Sequence, residues 1–273
     1  MSDVRVGFVG AGGMGSPMID RMLAAGLPVT VYARRAEVRE RFAAAGATTT
    51  DSAAVVAAVA DVLIVCVFSD EQLLDVALGD DGLVANMAPG SVLALHTTGS
   101  PSTARTLAEA GAPRHVHVVD APVSGTDAGI AQGKLTVMLG GEPADRDRVR
   151  AVVATYSDHV FDVGALGAGQ CVKLVNNAVL AANLQIACDA ERVARELGIE
   201  LSALAAVLHV SSGQSFALDM MAGLGGTEKA VSLAGHFLRK DVDAVKDAAA
   251  ELGLDLGLLG QVADGPIPWE GRD

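Results

Sequence analysis

Val4-Arg5-Val6-Gly7-Phe8-Val9-Gly10-Ala11-Gly12-Gly13-Met14-Gly15 opens the chain, and its reading decides the fold. The run from Val4 to Val9 has the apolar, β-branched character of a buried strand. A helical stretch follows to about Ala25, where Gly26 closes it. Between them Gly10, Gly12 and Gly15 fit GxGxxG, a pattern that gains meaning when a strand leads into it and a helix leads out. Gly10 permits the tight turn, Gly12 lets the backbone approach a pyrophosphate, and Gly15 lets helix and strand pack closely. The helix N-terminus offers unpaired N–H groups and the positive end of its dipole to phosphate. The spacing therefore predicts a dinucleotide site for NAD or NADP, with Gly10, Ala11, Gly12, Gly13, Met14 and Gly15 as cofactor-binding residues.

Working outward, the second strand, Val29–Tyr32, ends in Ala33-Arg34-Arg35. An NAD enzyme usually places Asp or Glu there to hold the ribose hydroxyls. Here that place holds no acid, and two guanidiniums stand where a 2′-phosphate would lie, in a geometry that suits phosphate. Ala33, Arg34 and Arg35 are thus read as cofactor-binding and the cofactor as NADP, with NAD possible. A solvated helix start is the competing reading of the arginine pair.

Further strands are expected at Val62–Val67, Val92–Leu95, Val116–Val119, Leu135–Leu139 and Val160–Val163, with helices between them. Several helices end in Ala-Gly: Ala25-Gly26, Ala45-Gly46 and Ala110-Gly111. Ser100-Pro101 opens another, Ser as cap and Pro in the first turn. Alternating strand and helix predicts an α/β fold, a Rossmann-type doubly wound parallel sheet over residues 1–163. Beyond Gly164 nothing reads confidently as a strand. A helix from about 168 to 197 leads into an all-helical C-terminal domain, 164–273, with further helices at Ser202–Val210 and Leu233–Leu252.

Composition narrows the function. The 273 residues carry a net charge of −13 with no basic cluster, which argues against a nucleic-acid partner. Apolar runs such as Val62 to Phe68 are far short of the roughly 20 residues a membrane span needs. No signal sequence is read at the start, so the expected location is cytoplasmic. Cys66, Cys171 and Cys188 form no CxxC pair and read as reduced thiols. His115 and His117 alternate on an expected strand, but nothing completes a metal site, and no metal is predicted.

Two segments suggest chemistry. Lys173, Asn176 and Asn177 stand at i, i+3 and i+4 on one stripe of the long helix. A Lys desolvated beside a nicotinamide suits acid–base work, and an Asn one turn on suits orienting a substrate. A solvated helix face explains the same residues equally well. Asp120-Ala121-Pro122-Val123-Ser124-Gly125 follows a strand, at the sheet edge where open α/β folds bind ligands. There the Ser124 hydroxyl and Gly125 N–H offer a carboxylate site; an ordinary strand-to-helix turn is the alternative.

With these motifs in this order, the sequence resembles the β-hydroxyacid dehydrogenases, the 3-hydroxyisobutyrate dehydrogenase group. The resemblance rests on Gly10 to Gly15 with Met14, on Asp120 to Gly125, on Gly167 to Asn177 and on Lys240-Asp241, and it covers nearly the whole chain. It implies Lys173 as general acid/base, Ser124 and Gly125 as the substrate-carboxylate loop, and Asn177 as a substrate-orienting residue. It also implies Thr98 beside the nicotinamide and Lys240 reaching the cofactor. The implied reaction moves hydride between the nicotinamide and a small β-hydroxy acid or its semialdehyde or keto partner. The helical domain would serve substrate binding and dimerisation, making a homodimer or homotetramer. Thr126 replaces the family's second loop glycine, bringing bulk and a hydroxyl beside the substrate carboxylate. Leu95-His96-Thr97 also departs from the family's acidic residue and Ser-Thr, and the end after Pro266-Ile267-Pro268-Trp269 is short. Substrate candidates are 3-hydroxyisobutyrate, tartronate semialdehyde, glyoxylate, succinic semialdehyde and bulkier β-hydroxy acids. The competing readings are an imine reductase or reductive aminase, which generally lacks such a lysine, and a non-catalytic NADP-binding protein.

Overall fold

A computed structural model describes residues 4–263 and Gly265; for 234–238, 240, 241 and 263 it describes the backbone only. Two compact units divide within the long helix, Met1–Lys173 and Leu174–Asp273.

The first unit is built on nine strands: β1 Val6–Val9, β2 Val29–Tyr32, β3 Thr48–Thr50, β4 Val62–Val65, β5 Val92–Leu95, β6 His117–Asp120, β7 Val123–Ser124, β8 Leu135–Gly140 and β9 Ser157–Gly164. Their order is β3-β2-β1-β4-β5-β6-β8-β7, with β9 also paired to β8. β1 to β6 run parallel, Val6 sitting in register with Val29 on one side and Val62 on the other. β8 runs antiparallel to β6 and β7. The order reverses between β1 and β4, and the crevice at such a switch point is where doubly wound sheets take their ligands.

All residues of β1, β4 and β5 are buried, which is why they read as unbroken apolar runs. The sheet has a core on each face. Phe8, Ile64 and Ala94 join one with Met18, Ile19, Met22 and Phe42; Val9, Leu63, Val65 and Leu93 join the other with Leu73, Leu83 and Leu107. Period-two alternation of the strands thus feeds both faces.

Several expectations change. β3 and β7 were not foreseen; one is three threonines at an edge and the other two residues long. The expected Val160–Val163 strand runs from Ser157 to Gly164, mostly solvent-accessible along its length. Gly26 and Gly46 adopt the left-handed backbone that closes a helix, but Gly111 does not. Gly111 stays helical, a 3-10 turn continues to Arg114, and His115 takes the left-handed position at φ 57°. An added Cβ at Gly111 would lie 2.8 Å from the Val116 carbonyl oxygen, so close approach is what this glycine permits. His115 therefore lies outside β6, and His117 Nδ1 instead meets Asp145 at 2.6 Å. No group of three or more metal-ligating side chains occurs among the described residues.

The second unit is helical throughout its described residues. The long helix Ala168–Glu196 leads to Leu201–His209, Phe216–Leu224, Thr227–Glu251 and Gly257–Ala263. Phe216–Leu224 and Gly257–Ala263 escaped the sequence reading, being short and weakly patterned; Ser215 caps the first by accepting from Leu218 N–H at 3.2 Å. Leu184, Cys188, Leu218, Met221, Ala230 and Val242 form the core. Glu191 binds the first turn of Thr227–Glu251, accepting from Thr227 N–H at 2.8 Å and its hydroxyl at 2.6 Å. Among the described residues, Ala168–Glu196 alone is long and apolar enough to cross a membrane by length and composition. Of its apolar window 56% is buried, and Gln170, Lys173, Asn177 and Gln185 are buried along it, as in an internal helix.

Candidate active site

The loop after β1 divides its glycines between two tasks. Gly10 has φ 103°, and a Cβ there would collide with the Cys66 carbonyl oxygen. At Gly15 a Cβ would collide with the Gly10 carbonyl and press on Phe8 at 2.9 Å. Those two are required by the protein itself. Gly12 and Gly13 are exposed and a Cβ on either would meet no atom of the described residues within 4 Å, so the space they keep open is available to a ligand. The helix Gly15–Ala24 starts at Met14 with no capping side-chain hydrogen bond among the described residues; Ser16 N–H donates to the Gly12 carbonyl at 2.9 Å and Pro17 has no N–H, so what this end offers an anion is mainly the positive pole of the helix dipole. Gly10, Ala11 and Gly12 line an open groove of about 1020 Å³ that also takes in Ala33, Arg34, Arg35, Cys66 and Phe68. The Gly12–Gly13 cradle, the helix end and the groove fit a dinucleotide.

Arg34 and Arg35 are exposed, with Arg35 3.5 Å from Glu37. Ala33 is buried, as is its neighbour strand β2 at every second residue. Arg39, which the sequence reading passed over, donates from one nitrogen to the carbonyls of Ala33 (2.8 Å) and Arg34 (2.9 Å) and so fixes the path of this turn.

The carboxyl ends of β4, β5 and β6 are tied to the first turn of the long helix. Asp120, fully buried at the end of β6, accepts from the N–H of Gly167 (2.7 Å) and of Gln170 (2.8 Å). Burial pushes its carboxyl above the usual range, and the surrounding backbone N–H groups pull the other way. Gln170, also buried, donates to the Thr97 carbonyl (2.8 Å) and accepts from Gly99 N–H (3.1 Å). Thr97 in turn accepts from Val67 N–H at 3.1 Å, and Asp70 accepts from Ser100 N–H at 2.7 Å. Thr98 is half-buried in the middle of this segment. Beneath it His96 Nε2 meets the Tyr156 hydroxyl at 2.8 Å, and burial lowers the imidazole to about 4.

Ser124 is half-buried on β7, opposite Thr136 of β8. Gly125 has φ 143°, a conformation reserved in practice for glycine. Thr126 is exposed and caps the helix Asp127–Ala131, its hydroxyl accepting from Gly129 N–H at 3.1 Å. Its oxygen is thereby engaged with the protein's own backbone.

Lys173 and Asn177 are both buried, at 8% and 2% exposure, one turn apart on the long helix. Asn176 and Cys171 are exposed, so the stripe expected to carry three polar residues carries two. Asn177 Oδ1 accepts from Asn176 Nδ2 at 3.1 Å, while Asn177 Nδ2 is buried with no hydrogen-bond partner among the described residues. A buried donor left unpaired costs about 1–3 kcal/mol and marks a place for a ligand acceptor. The backbone of Lys240 lies in the helix Thr227–Glu251; its side chain, and that of His236, lie outside the described residues, as does the segment from Pro266 to Trp269.

A groove fit for a dinucleotide in the first unit, and a long helix bearing a buried Lys and a buried Asn, are the features of a nicotinamide-type oxidoreductase. Residues 5–164 match the NAD-binding domain of 6-phosphogluconate dehydrogenase, and 167–264 the NAD-binding domain of NADP-dependent 3-hydroxyisobutyrate dehydrogenase. An NAD-dependent L-serine dehydrogenase of Pseudomonas aeruginosa is 34% identical over 79% of this chain and 72% of that protein. A 3-hydroxyisobutyrate dehydrogenase of the same organism is 33% identical over 79% and 72%. The structure of Mycobacterium tuberculosis 3-hydroxyisobutyrate dehydrogenase with L-serine superposes with a TM-score of 0.84 at 26% identity, covering 96% of this chain and 92% of that one. The chain belongs to the β-hydroxyacid dehydrogenase family and is an NAD(P)-binding oxidoreductase acting on CH–OH groups.

Proposed function

We propose that the protein is an NADP-dependent dehydrogenase of a small β-hydroxy acid, with Lys173 as its general acid/base. The observation that carries this reading is the buried pair Lys173 and Asn177 on one helix, with an amide nitrogen of Asn177 that no acceptor among the described residues meets. The Gly12–Gly13 cradle and the helix end behind it would hold the pyrophosphate. Arg34 and Arg35, exposed on the groove, would hold a 2′-phosphate. When bound, the nicotinamide supplies the hydride acceptor or donor. In oxidation, Lys173 Nζ takes the proton from the substrate hydroxyl. In reduction the ammonium returns that proton, and its charge stabilises the developing alkoxide. Ser124 and Gly125 hold the substrate carboxylate, and Asn177 Nδ2 donates to a substrate oxygen. Thr98 and Lys240 are assigned to the cofactor.

L-Serine and 3-hydroxyisobutyrate, named for the relatives, share a hydroxymethyl group β to a carboxylate, and they define the substrate class we propose. The protein is placed in the cytoplasm and its assembly is a homodimer or homotetramer through the helical unit. Support for the assembly comes from Val172, Val179, Ile186 and Val193, exposed at seven-residue intervals along the long helix. Turnover of L-serine, 3-hydroxyisobutyrate, tartronate semialdehyde, glyoxylate, succinic semialdehyde and a cyclic imine, each with NADP(H) and NAD(H), tests the function. A β-hydroxy acid or its carbonyl partner should give the highest kcat/KM, with NADP(H) preferred. Turnover of the imine alone, or a clear preference for NADH, would overturn the substrate class or the cofactor assignment respectively.

A further inference from the structure

Gln170 has both ends of its structure occupied. Its main-chain N–H is bound by Asp120 at 2.8 Å, and its side-chain amide bridges Thr97 O at 2.8 Å and Gly99 N–H at 3.1 Å. The amide thus pairs with the backbone as a neighbouring strand would, and the two groups it holds flank Thr98. Gln170 lies one helical turn before Lys173. The carbonyl and the N–H it meets demand a donor and an acceptor from one side chain. Among neutral residues of this reach, an amide is what offers both. At 2% exposure, water does not substitute for either contact.

We infer that Gln170 is a positioning residue, which locks the turn carrying Lys173 to the segment carrying Thr98 so that proton and hydride transfer share one geometry. The inference rests on the roles proposed above for Lys173 and Thr98. A group misplaced by about 1 Å can cost about 100-fold in rate while leaving binding nearly intact. Loss of the clamp should therefore appear in kcat and not in cofactor affinity.

Two variants test it. In Gln170→Met the shape is kept and both hydrogen bonds are lost. We expect kcat to fall at least about 20-fold with KM for NADP(H) within about threefold, using L-serine or 3-hydroxyisobutyrate, whichever gives the higher kcat/KM. In Gln170→Glu the carboxylate still accepts from Gly99 but faces the Thr97 carbonyl with a second oxygen; protonation restores the donor, and burial raises the pH at which that happens. The ratio of Gln170→Glu to wild-type kcat should therefore rise, by about tenfold, from pH 8 to pH 6. A ratio that stays flat overturns the inference, and this comparison decides even if Gln170→Met fails to fold. Hydrogen exchange at the Gly99 amide reads the clamp without turnover: in Gln170→Met, which loses the acceptor, it should accelerate about tenfold or more, and unchanged exchange overturns the clamp. A Lys173→Ala protein that keeps its rate would remove the proposed acid–base role instead, leaving the exchange result to stand alone.

Discussion

At the scale of single residues, the glycine loop separates folding from binding. Gly10→Ala places a methyl against the Cys66 carbonyl in a left-handed conformation, and should destabilise the protein by about 2–4 kcal/mol. Gly12→Ala meets no atom of the described residues, so Tm without cofactor should hold within about 2 °C while Kd for NADPH rises at least about tenfold. Thermal melts with and without NADPH separate the two. Lys173→Ala should leave NADPH binding intact by fluorescence titration and lower kcat at least about 100-fold; retained turnover would remove Lys173 from the chemistry. These residues were legible because their signals are local: a spacing of glycines, a Lys and an Asn one turn apart. Asn176 was misread with them, since position i+3 also lies at the edge of the buried stripe, and side-chain burial decides between the two asparagines. Arg39 and Gln170 were missed because their roles consist of contacts to backbone, which carries no mark in the sequence.

At the scale of elements, the strands that lie in the middle of the sheet were the readable ones. β5 matches expectation to the residue because burial on both faces demands an unbroken apolar run, and β2 does so through its alternation of buried valines with half-buried Thr30 and Tyr32. β3 and β7 carry no such demand. The long helix was foreseen, but what starts it was not: its N-terminus is held by Asp120, which lies 47 residues before Gly167. Both carboxylate oxygens accept from backbone N–H groups. Asp120→Asn would turn an NH₂ toward one of those donors, costing about 1–3 kcal/mol. The expected result is a lower denaturation midpoint at unchanged m-value, accompanied by a fall in kcat because the same turn carries Lys173. An unchanged midpoint would mean the carboxylate does not hold the helix.

Across the whole molecule, acid stability follows from buried titratable groups. His96 is held neutral, its imidazole lowered by burial to about 4 from an ordinary 6.5. Folding thus favours the neutral form, and stability present above pH 6.5 is lost as pH falls toward 4, by about 3 kcal/mol at pH 4. Glu191 adds to the loss at lower pH. Burial raises it, but hydrogen bonds from Thr227 and Arg195 outweigh burial and leave it below its usual value, so protonation weakens the fold. Asp120 works in the opposite sense, since its raised pKa makes protonation favour the folded state as pH falls. Urea titrations between pH 7 and 4 should show a shallower decline for His96→Gln than for the wild type; equal slopes would assign the decline elsewhere.

The Asp120 carboxylate also binds the evolutionary options of two distant glycines. A Cβ at Gly140 would run into one of its oxygens, and a Cβ at Gly169 would stand 2.7 Å from the other and 2.5 Å from the Met138 carbonyl. Three positions spread over fifty residues of chain therefore compete for one small volume. A Cβ at 140 would also stand 2.8 Å from the Ala165 carbonyl oxygen and 2.9 Å from the Gly169 nitrogen, so a smaller side chain at 120 removes the worst of three clashes and leaves two with backbone. The order in which such changes arrive then decides which are survivable. Gly140→Ala should be tolerated better in an Asp120→Ser background than alone, a sign of coupling that single-site scanning cannot display.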